Sequence, residues 1–331
     1  MFKKMNYRVL IIVLLVLAAV FIITKYVKRD ERTFRDQLVS FSPEEITEIL
    51  FTPDPLKNEQ VRLQKETEGL WKLYSGEKAY NADTTTIYNM LRSLAGLKPS
   101  RVAAMNDSRW KEFQVDDSTG IRIRLLQRSE EVADVVVGKF SYKPAQGQEG
   151  MYGRGQGTMT SYVRLTDEKE VYAVDGYLRM GLQSNINGLR DKALSRTKRD
   201  DITRVTFTYP GSLPYTLERQ GTGFAINGIP ADSTASALYL GSIARLSSQD
   251  FLSDIPLGQP AAYSVKIEGN NMLPVDIMAY PAPDTVNKYI LTSSVNPGTL
   301  FSGYGKNKLF EKVFVPMEKF AQKERSAPDV K

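Results

Sequence analysis

The chain of 331 residues contains neither cysteine nor histidine. Without cysteine there are no disulfides, no thiolate nucleophile, no lipid-modified cysteine anchor and no cysteine-ligated zinc or iron–sulfur site. Without histidine there is no Ser-His-Asp triad, no imidazole proton shuttle and no histidine metal ligand. Carboxylate, lysine or tyrosine acid–base chemistry, Ser-Lys chemistry and all-oxygen cation sites remain open, but the sequence shows no spacing typical of them. We therefore predict no enzymatic activity, no metal and no cofactor.

The sequence also lacks a large excess of one charge. Its 44 basic and 38 acidic residues leave a net charge of +6, whereas a nucleic-acid-binding surface needs basic residues clustered on one face. We predict no nucleic-acid partner. The hydrophobic share of 42% and the charged share of 25% are those of an ordinary globular protein with one large or two medium domains.

One long apolar run is present near the N-terminus. Residues 9–23 (VLIIVLLVLAAVFII) contain no polar side chain, and with tolerant flanks the run approaches the roughly 20 residues that cross a bilayer as a helix. No small-residue cleavage pattern follows it. We predict an uncleaved signal anchor, and a cleaved signal peptide is the alternative.

The charges beside this run balance one another. Basic residues lie on both sides of it, at Lys3, Lys4, Arg8, Lys25, Lys28 and Arg29. The positive-inside rule therefore barely decides the orientation. Because a short tail before a long polar body is the usual layout of an anchor with its body outside the cytoplasm, we predict a single-pass membrane protein with its body outside the cytoplasm.

The rest of the chain reads as one unit written twice. Residues 46–52 (ITEILFT) return as residues 202–208 (ITRVTFT), and each copy is followed by a turn, two strands, a helix start and further strands. The helix starts contain Asp83 and Asp232, which we interpret as N-caps rather than as paired catalytic carboxylates. The predicted fold class is α+β: an N-terminal transmembrane helix followed by two repeated units, each a mainly antiparallel sheet with one packed helix.

We predict five parts along the chain. They are a cytoplasmic tail and transmembrane anchor at 1–28, a stalk at 29–43, a first α+β unit at 44–198, a second α+β unit at 199–317 and a disordered tail at 318–331. The stalk has Phe34, Leu38 and Phe41 at helical spacing, which predicts a short helix. The charged seam at 192–201 reads as a solvated linker, and contact of its basic side chains with lipid phosphates is the alternative.

A glycine-rich stretch at 146–158 (QGQEGMYGRGQGT) has no counterpart of similar composition in the second unit. It does not reproduce a G-x-G-x-x-G phosphate motif, and its neighbours read as strands, so a long loop between strands is expected. Loops positioned by a rigid scaffold often bind partners. Met151, Tyr152 and Arg154 are therefore the candidate partner-binding residues.

Five short motifs in the first unit carry a family resemblance. They are Gly69-Leu70-Trp71-Lys72, Tyr80-Asn81-Ala82-Asp83, Val137-Gly138-Lys139, Tyr162-Val163-Arg164 and Val171-Tyr172. With the anchor, they resemble the bacterial domain-of-unknown-function family 4340 over most of residues 46–194, and more loosely in the second unit. The resemblance implies a single-pass bacterial inner-membrane protein with a periplasmic body, because members have a membrane anchor. Members are often encoded beside ABC-type transport systems of the gliding-motility auxiliary class, which implies such transporters as partners. The resemblance brings no catalytic residues.

Three functional hypotheses follow. The first is a non-enzymatic, membrane-anchored periplasmic accessory or scaffold protein of a membrane complex, with the lipid bilayer and other membrane proteins, such as ABC-type transporter subunits, as partners. The second is a cell-wall or carbohydrate-binding module that uses Trp71, Trp110 or the glycine-rich loop. The third is an enzyme with a Ser-Lys or carboxylate site.

Overall fold

A computed structural model describes residues 17, 35–53, 60–66, 69–144, 157–181, 186–253, 255–283 and 286–322. Apart from residue 17, the predicted anchor at 9–23 lies outside these ranges. The same is true of the candidate loop residues Met151, Tyr152 and Arg154, and of residues 323–331 of the predicted tail. Within the described ranges, no helix has both the length and the apolar character needed to cross a membrane.

The body consists of two antiparallel sheets of nine strands each. The first unit contains β1 (Glu48–Phe51), β2 (Val61–Lys65), β3 (Trp71–Ser75), β4 (Lys78–Asn81), α1 (Thr84–Ala95), β5 (Pro99–Ala104), α2 (Trp110–Phe113), β6 (Ile121–Gln127), β7 (Glu130–Lys143), β8 (Thr158–Leu165) and β9 (Val171–Asp175). The second contains β10 (Ile202–Thr208), β11 (Tyr215–Gln220), β12 (Gly223–Ile226), β13 (Ile229–Pro230), α3 (Ser233–Ala244), β14 (Phe251–Leu252), β15 (Tyr263–Gly269), β16 (Val275–Pro281), β17 (Tyr289–Ser293), β18 (Leu300–Ser302) and α4 (Leu309–Val313).

The two sheets have the same strand order. It is β4-β3-β2-β1-β6-β7-β8-β9-β5 in the first and β13-β12-β11-β10-β15-β16-β17-β18-β14 in the second. In each unit the chain leaves one edge of the sheet, passes through a helix and re-enters at the opposite edge before it returns to the centre. The shared order confirms two repeated sheet units.

The repeated seven-residue stretch forms the central strand of each sheet. Ile49 and Phe51 of β1 are buried, as are Val205 and Phe207 of β10. Alternate side chains of a strand point to opposite faces, so these residues all lie on the face that packs against the helix. The repeat therefore specifies packing of the two cores.

Both helix starts are capped as predicted. Asp83 accepts hydrogen bonds from the backbone N–H groups of Thr85 (3.0 Å) and Thr86 (3.2 Å), and Asp232 accepts one from Ala235 (2.8 Å). These bonds satisfy N–H groups that have no partner within the helix. α1 then turns its apolar face to the sheet, through Ile87, Met90, Leu91 and Leu94.

The predicted helical stalk is wrong for its described part, residues 35–43, which form no helix. Leu38 and Val39 are buried in the first core instead, and the N–H of Leu38 donates to the carbonyl oxygen of Leu97 at 3.0 Å. Arg35 forms an ion pair with Glu168 at 2.7 Å. The apolar side chains of this segment gain more from covering the end of α1 than from local helix formation.

The bounds between the predicted parts also need correction. Leu194 belongs to the second core although the predicted first unit extends to residue 198, and Phe320 belongs to that core although the predicted disordered tail begins at residue 318. Both side chains are fully buried. The change from the first unit to the second therefore lies a few residues earlier than predicted, and the second unit extends through a 3-10 helix at Met317–Phe320.

Candidate functional site at the junction of the two units

The segment between the units is held to both of them by backbone hydrogen bonds. On the first unit, Asp191 N–H donates to Asn81 O at 2.8 Å, and Asp83 N–H donates to Leu189 O at 2.8 Å. On the second unit, Leu194 N–H donates to Leu246 O at 2.8 Å. The segment therefore ties the edge strand β4 to the chain that precedes β14.

This segment is only partly the solvated linker that the sequence predicted. Ser195 and Thr197 are buried and donate to the carbonyl oxygen of Ala244, whereas Arg196 and Lys198 are exposed. Buried and exposed side chains therefore alternate along residues 195–198, as in a strand that has one face against the protein and the other in solvent. The sequence does not reveal this alternation, because the buried positions are small hydroxyl residues within a charged stretch rather than apolar residues.

A buried amide network joins the two units directly. Asn296, which is 1% exposed, lies in the turn between β17 and β18. Its amide nitrogen donates to Asp191 O at 2.8 Å, and its side-chain oxygen accepts from the Asn81 amide at 2.7 Å and from the Thr299 hydroxyl at 2.8 Å. Asn81 also donates to Pro297 O at 3.0 Å. Because buried amides are costly to leave unpaired, this network favours one arrangement of the units.

The guanidinium of Arg190 lies between an aromatic ring of the first unit and one of the second. Its guanidinium carbon lies 4.1 Å from the ring centroid of Tyr80 in the first unit and 3.9 Å from that of Phe251 in the second. Burial lowers the pKa of Arg190 below its ordinary value, because desolvation disfavours the charged form. The two rings offer the cation their negative faces, which partly offsets that cost.

A cleft of about 960 Å³ opens beside this junction. It is lined by Glu66, Leu70, Trp71, Lys72, Asn81, Ala82, Asp83, Thr84, Thr85, Asp191, Lys192, Ala193, Arg196, Ser247, Val295 and Pro297. These residues come from the first unit, the connecting segment and the second unit. The cleft therefore exists only because the two units are held together.

The charged groups of the cleft are equal in number and largely engaged. Three basic side chains (Lys72, Lys192 and Arg196) face three carboxylates (Glu66, Asp83 and Asp191). Asp191 accepts from Arg196, while Asp83 caps α1 and also accepts from the Thr86 hydroxyl at 3.0 Å. Asp83 and Asp191 therefore both contribute to the local structure of the cleft wall. The lining thus combines charges of both signs with amide, hydroxyl and apolar groups.

None of the predicted candidate residues belongs to the part of the chain that the structure describes. Met151, Tyr152 and Arg154 are outside the described residues, but Lys143 of β7 pairs with Thr158 of β8. The glycine-rich stretch therefore connects two paired strands, as expected. The cleft itself was missed, because nothing in the sequence shows that Asn81 and Asn296 meet.

The tryptophans offer little to a carbohydrate. Trp71 is 1% exposed, so it has no free face on which a sugar ring can stack. Trp110 donates its indole N–H to Lys169 O at 2.9 Å, and the Arg164 guanidinium lies 3.9 Å from its ring centroid.

Fold and junction together define an α+β protein built from two copies of one sheet unit, with a cleft between them. The chain matches the family described as Domain of unknown function (DUF4340) over residues 71–266 and belongs to that family. Neither a curated protein nor a solved structure matches the chain. Two of the motifs that carry the resemblance, residues 69–72 and 80–83, supply lining of the cleft.

Proposed function

We propose that this protein is a single-pass bacterial inner-membrane protein whose periplasmic body serves as a non-enzymatic scaffold of a membrane complex. The observation that carries the proposal is the junction cleft, which three parts of the chain build and whose lining suits a polypeptide segment. The apolar run at 9–23 supports the membrane attachment. Transporter subunits of the ABC type are the partners that the family resemblance implies.

The partner segment binds in the cleft beside Leu70, which is 57% exposed. An exposed leucine at the rim of a polar cleft provides apolar area that a partner can bury. Arg196 is half-exposed there and already paired with Asp191, so it presents remaining N–H donors to an incoming carbonyl or carboxylate.

Site-specific photo-crosslinking in intact cells tests this proposal. A photoreactive residue at Leu70 should give a cross-link to an integral membrane protein, and the same residue at Leu213, exposed on the β10–β11 turn, should not. Arg196→Glu should abolish the cross-link, whereas Lys111→Glu on the exposed side of α2 should leave it intact. Equal cross-linking at both positions, or insensitivity to Arg196→Glu, would contradict the proposal.

Orientation is tested separately. Protease added to spheroplasts should degrade the body if it is periplasmic, and alkaline extraction should leave the protein in the membrane if the anchor is uncleaved. A protected body would place it in the cytoplasm and overturn that part of the proposal.

A further inference from the structure

The outward face of α3 carries no charge. The helix sequence STASALYLGSIA contains no acidic or basic residue, and Leu238 projects from it with 71% of its surface exposed. The equivalent helix α1 carries Asn89 and Arg92 on its exposed side. The exposed positions of α3 are hydroxyl, small or apolar residues, and Leu238 is the large apolar side chain among them.

Four lysines lie beside one edge of this exposed face of α3. Lys306 and Lys308 precede α4, Lys312 lies within it, and Lys319 follows it; all four are exposed. They line, with Leu238, a shallow cleft of about 710 Å³. Glu311 is the acidic residue of that lining, so four lysines against one glutamate leave a net charge of +3. Within the described part of the chain, none of these lysines forms an ion pair.

We infer that α3 and the lysines around it form a docking surface for an anionic membrane. Lysine amines bind lipid phosphates and accumulate at a negatively charged surface, while an exposed leucine inserts between headgroups. The net charge of +3 that remains after Glu311 is counted is complementary to the negative charge of such a membrane. The inference rests on the proposed function in one respect, because the anchor keeps the body beside a bilayer.

This surface orients the body. The anchor alone leaves the two units free to move above the membrane, whereas a second attachment through the second unit fixes them. Because the anchor supplies a high local concentration, a weak electrostatic contact suffices. The junction cleft then faces a membrane partner at a defined height above the bilayer and in a defined direction.

The absence of native cysteine makes a single-label test clean. We would place an environment-sensitive dye on Leu238→Cys in the full chain, reconstituted into nanodiscs of phosphatidylcholine alone or with phosphatidylglycerol added. The emission should shift to the blue only with the anionic lipid, and added salt should reverse the shift. The same dye on Leu213→Cys should respond to neither lipid.

Charge variants complete the test. Lys308→Gln with Lys312→Gln should reduce the ratio of docked to undocked protein by roughly 25-fold, because each lysine contributes roughly five-fold at an anionic surface. Both sites are exposed, and an unchanged thermal transition would show intact folding. Equal emission in the two lipids, or an unchanged ratio in the double variant, would overturn the inference. Alkaline extraction reports on the anchor independently, so failure of the anchor and failure of the surface are distinguishable.

Discussion

The two units share a sheet and differ in what covers it. In the first, Trp110, Phe113 and Val115 pack on the outer face of the sheet and form a second small core. The chain lies so close there that a Cβ at Gly138 would be 2.2 Å from the carbonyl oxygen of Phe113. In the second unit, the described residues of 253–262, which occupy the same place in the order of elements, form no helix. The two units therefore share the same sheet but differ in the segments that pack on its outer face.

The second unit has its own addition at the C-terminal end of the described chain. The carbonyl oxygen of Val315 accepts from the Tyr209 hydroxyl at 2.6 Å, and that of Val313 accepts from the Tyr239 hydroxyl at 2.8 Å. Phe320 packs against Phe207 with ring centroids 6.1 Å apart. This segment completes the second core and brings the exposed lysines beside α3. Sequence common to both units specifies the sheets, and sequence specific to one unit builds the surfaces.

The largest effect is expected from the matched core pair Phe51→Ala and Phe207→Ala. Removal of a buried phenylalanine costs about 3–5 kcal/mol, and Phe207 should lie at the upper end because it also stacks on Tyr215 at 4.4 Å. Denaturant unfolding measures both losses. A loss below about 1 kcal/mol for either variant would contradict the equivalence of the two central strands.

Asn296→Ala should have the next largest effect. It removes the donor to the Asp191 carbonyl and one of the two acceptors of the Asn81 amide, at a cost of about 1–3 kcal/mol. Both tryptophans of the chain lie in the first unit, so their emission reports that unit while far-UV circular dichroism reports both. The two transitions should coincide in the unaltered protein and separate in this variant. Asn89→Ala on the exposed side of α1 is the control and should change stability by less than about 0.5 kcal/mol.

The helix caps should differ by a smaller amount. Asp83→Ala should cost about 1–2 kcal/mol and Asp232→Ala about 0.5–1 kcal/mol, because Asp83 accepts from two backbone N–H groups and Asp232 from one. The corresponding asparagine variants keep a capping oxygen and should be nearly neutral. Equal losses for the two alanine variants would show that cap geometry does not distinguish the units.

The smallest effect is expected at alkaline pH. Burial and then a hydrogen bond to Glu168 raise the pKa of Tyr172 to about 12, and burial raises the pKa of Tyr215 to about 12. The unfolded chain loses these protons near the ordinary tyrosine pKa of about 10, so stability is full below that pH and falls as pH rises toward 12.

The matched variants Tyr172→Phe and Tyr215→Phe should each reduce this slope by roughly one proton. The measurement is the free energy of unfolding between pH 9 and pH 12, with Tyr74→Phe at the surface of β3 as the control. An unchanged slope in either core variant would contradict the assignment for that unit.

Much of the fold could be predicted from local patterns. Alternation at 46–52 and 202–208, the two aspartate caps and the turn residues between strands all act over short distances and repeat. The buried stalk residues Leu38 and Val39 could not be predicted, because their burial depends on contact with the end of α1. The same limit applied to Phe320, which follows two exposed charged residues and reads as tail.

The hydrogen bonds at the junction could not be predicted from the sequence either, because they also depend on contacts between distant parts of the chain. Asn81, Asp191 and Asn296 are far apart in the chain, and each is an ordinary polar residue in its own neighbourhood. Their meaning comes from hydrogen bonds across the two units. The motif at 80–83 belongs to the family resemblance, but nothing in its sequence indicates that it lies at the junction.

The central claim is that the two units form one rigid body around the junction. Spin labels on Ser93→Cys in α1 and Ser242→Cys in α3, both exposed, measure the distance between the units by pulsed electron paramagnetic resonance in the full chain. We predict one narrow distance distribution that broadens when Asn296→Ala is added. A broad or two-peaked distribution in the protein with an intact junction would contradict the claim.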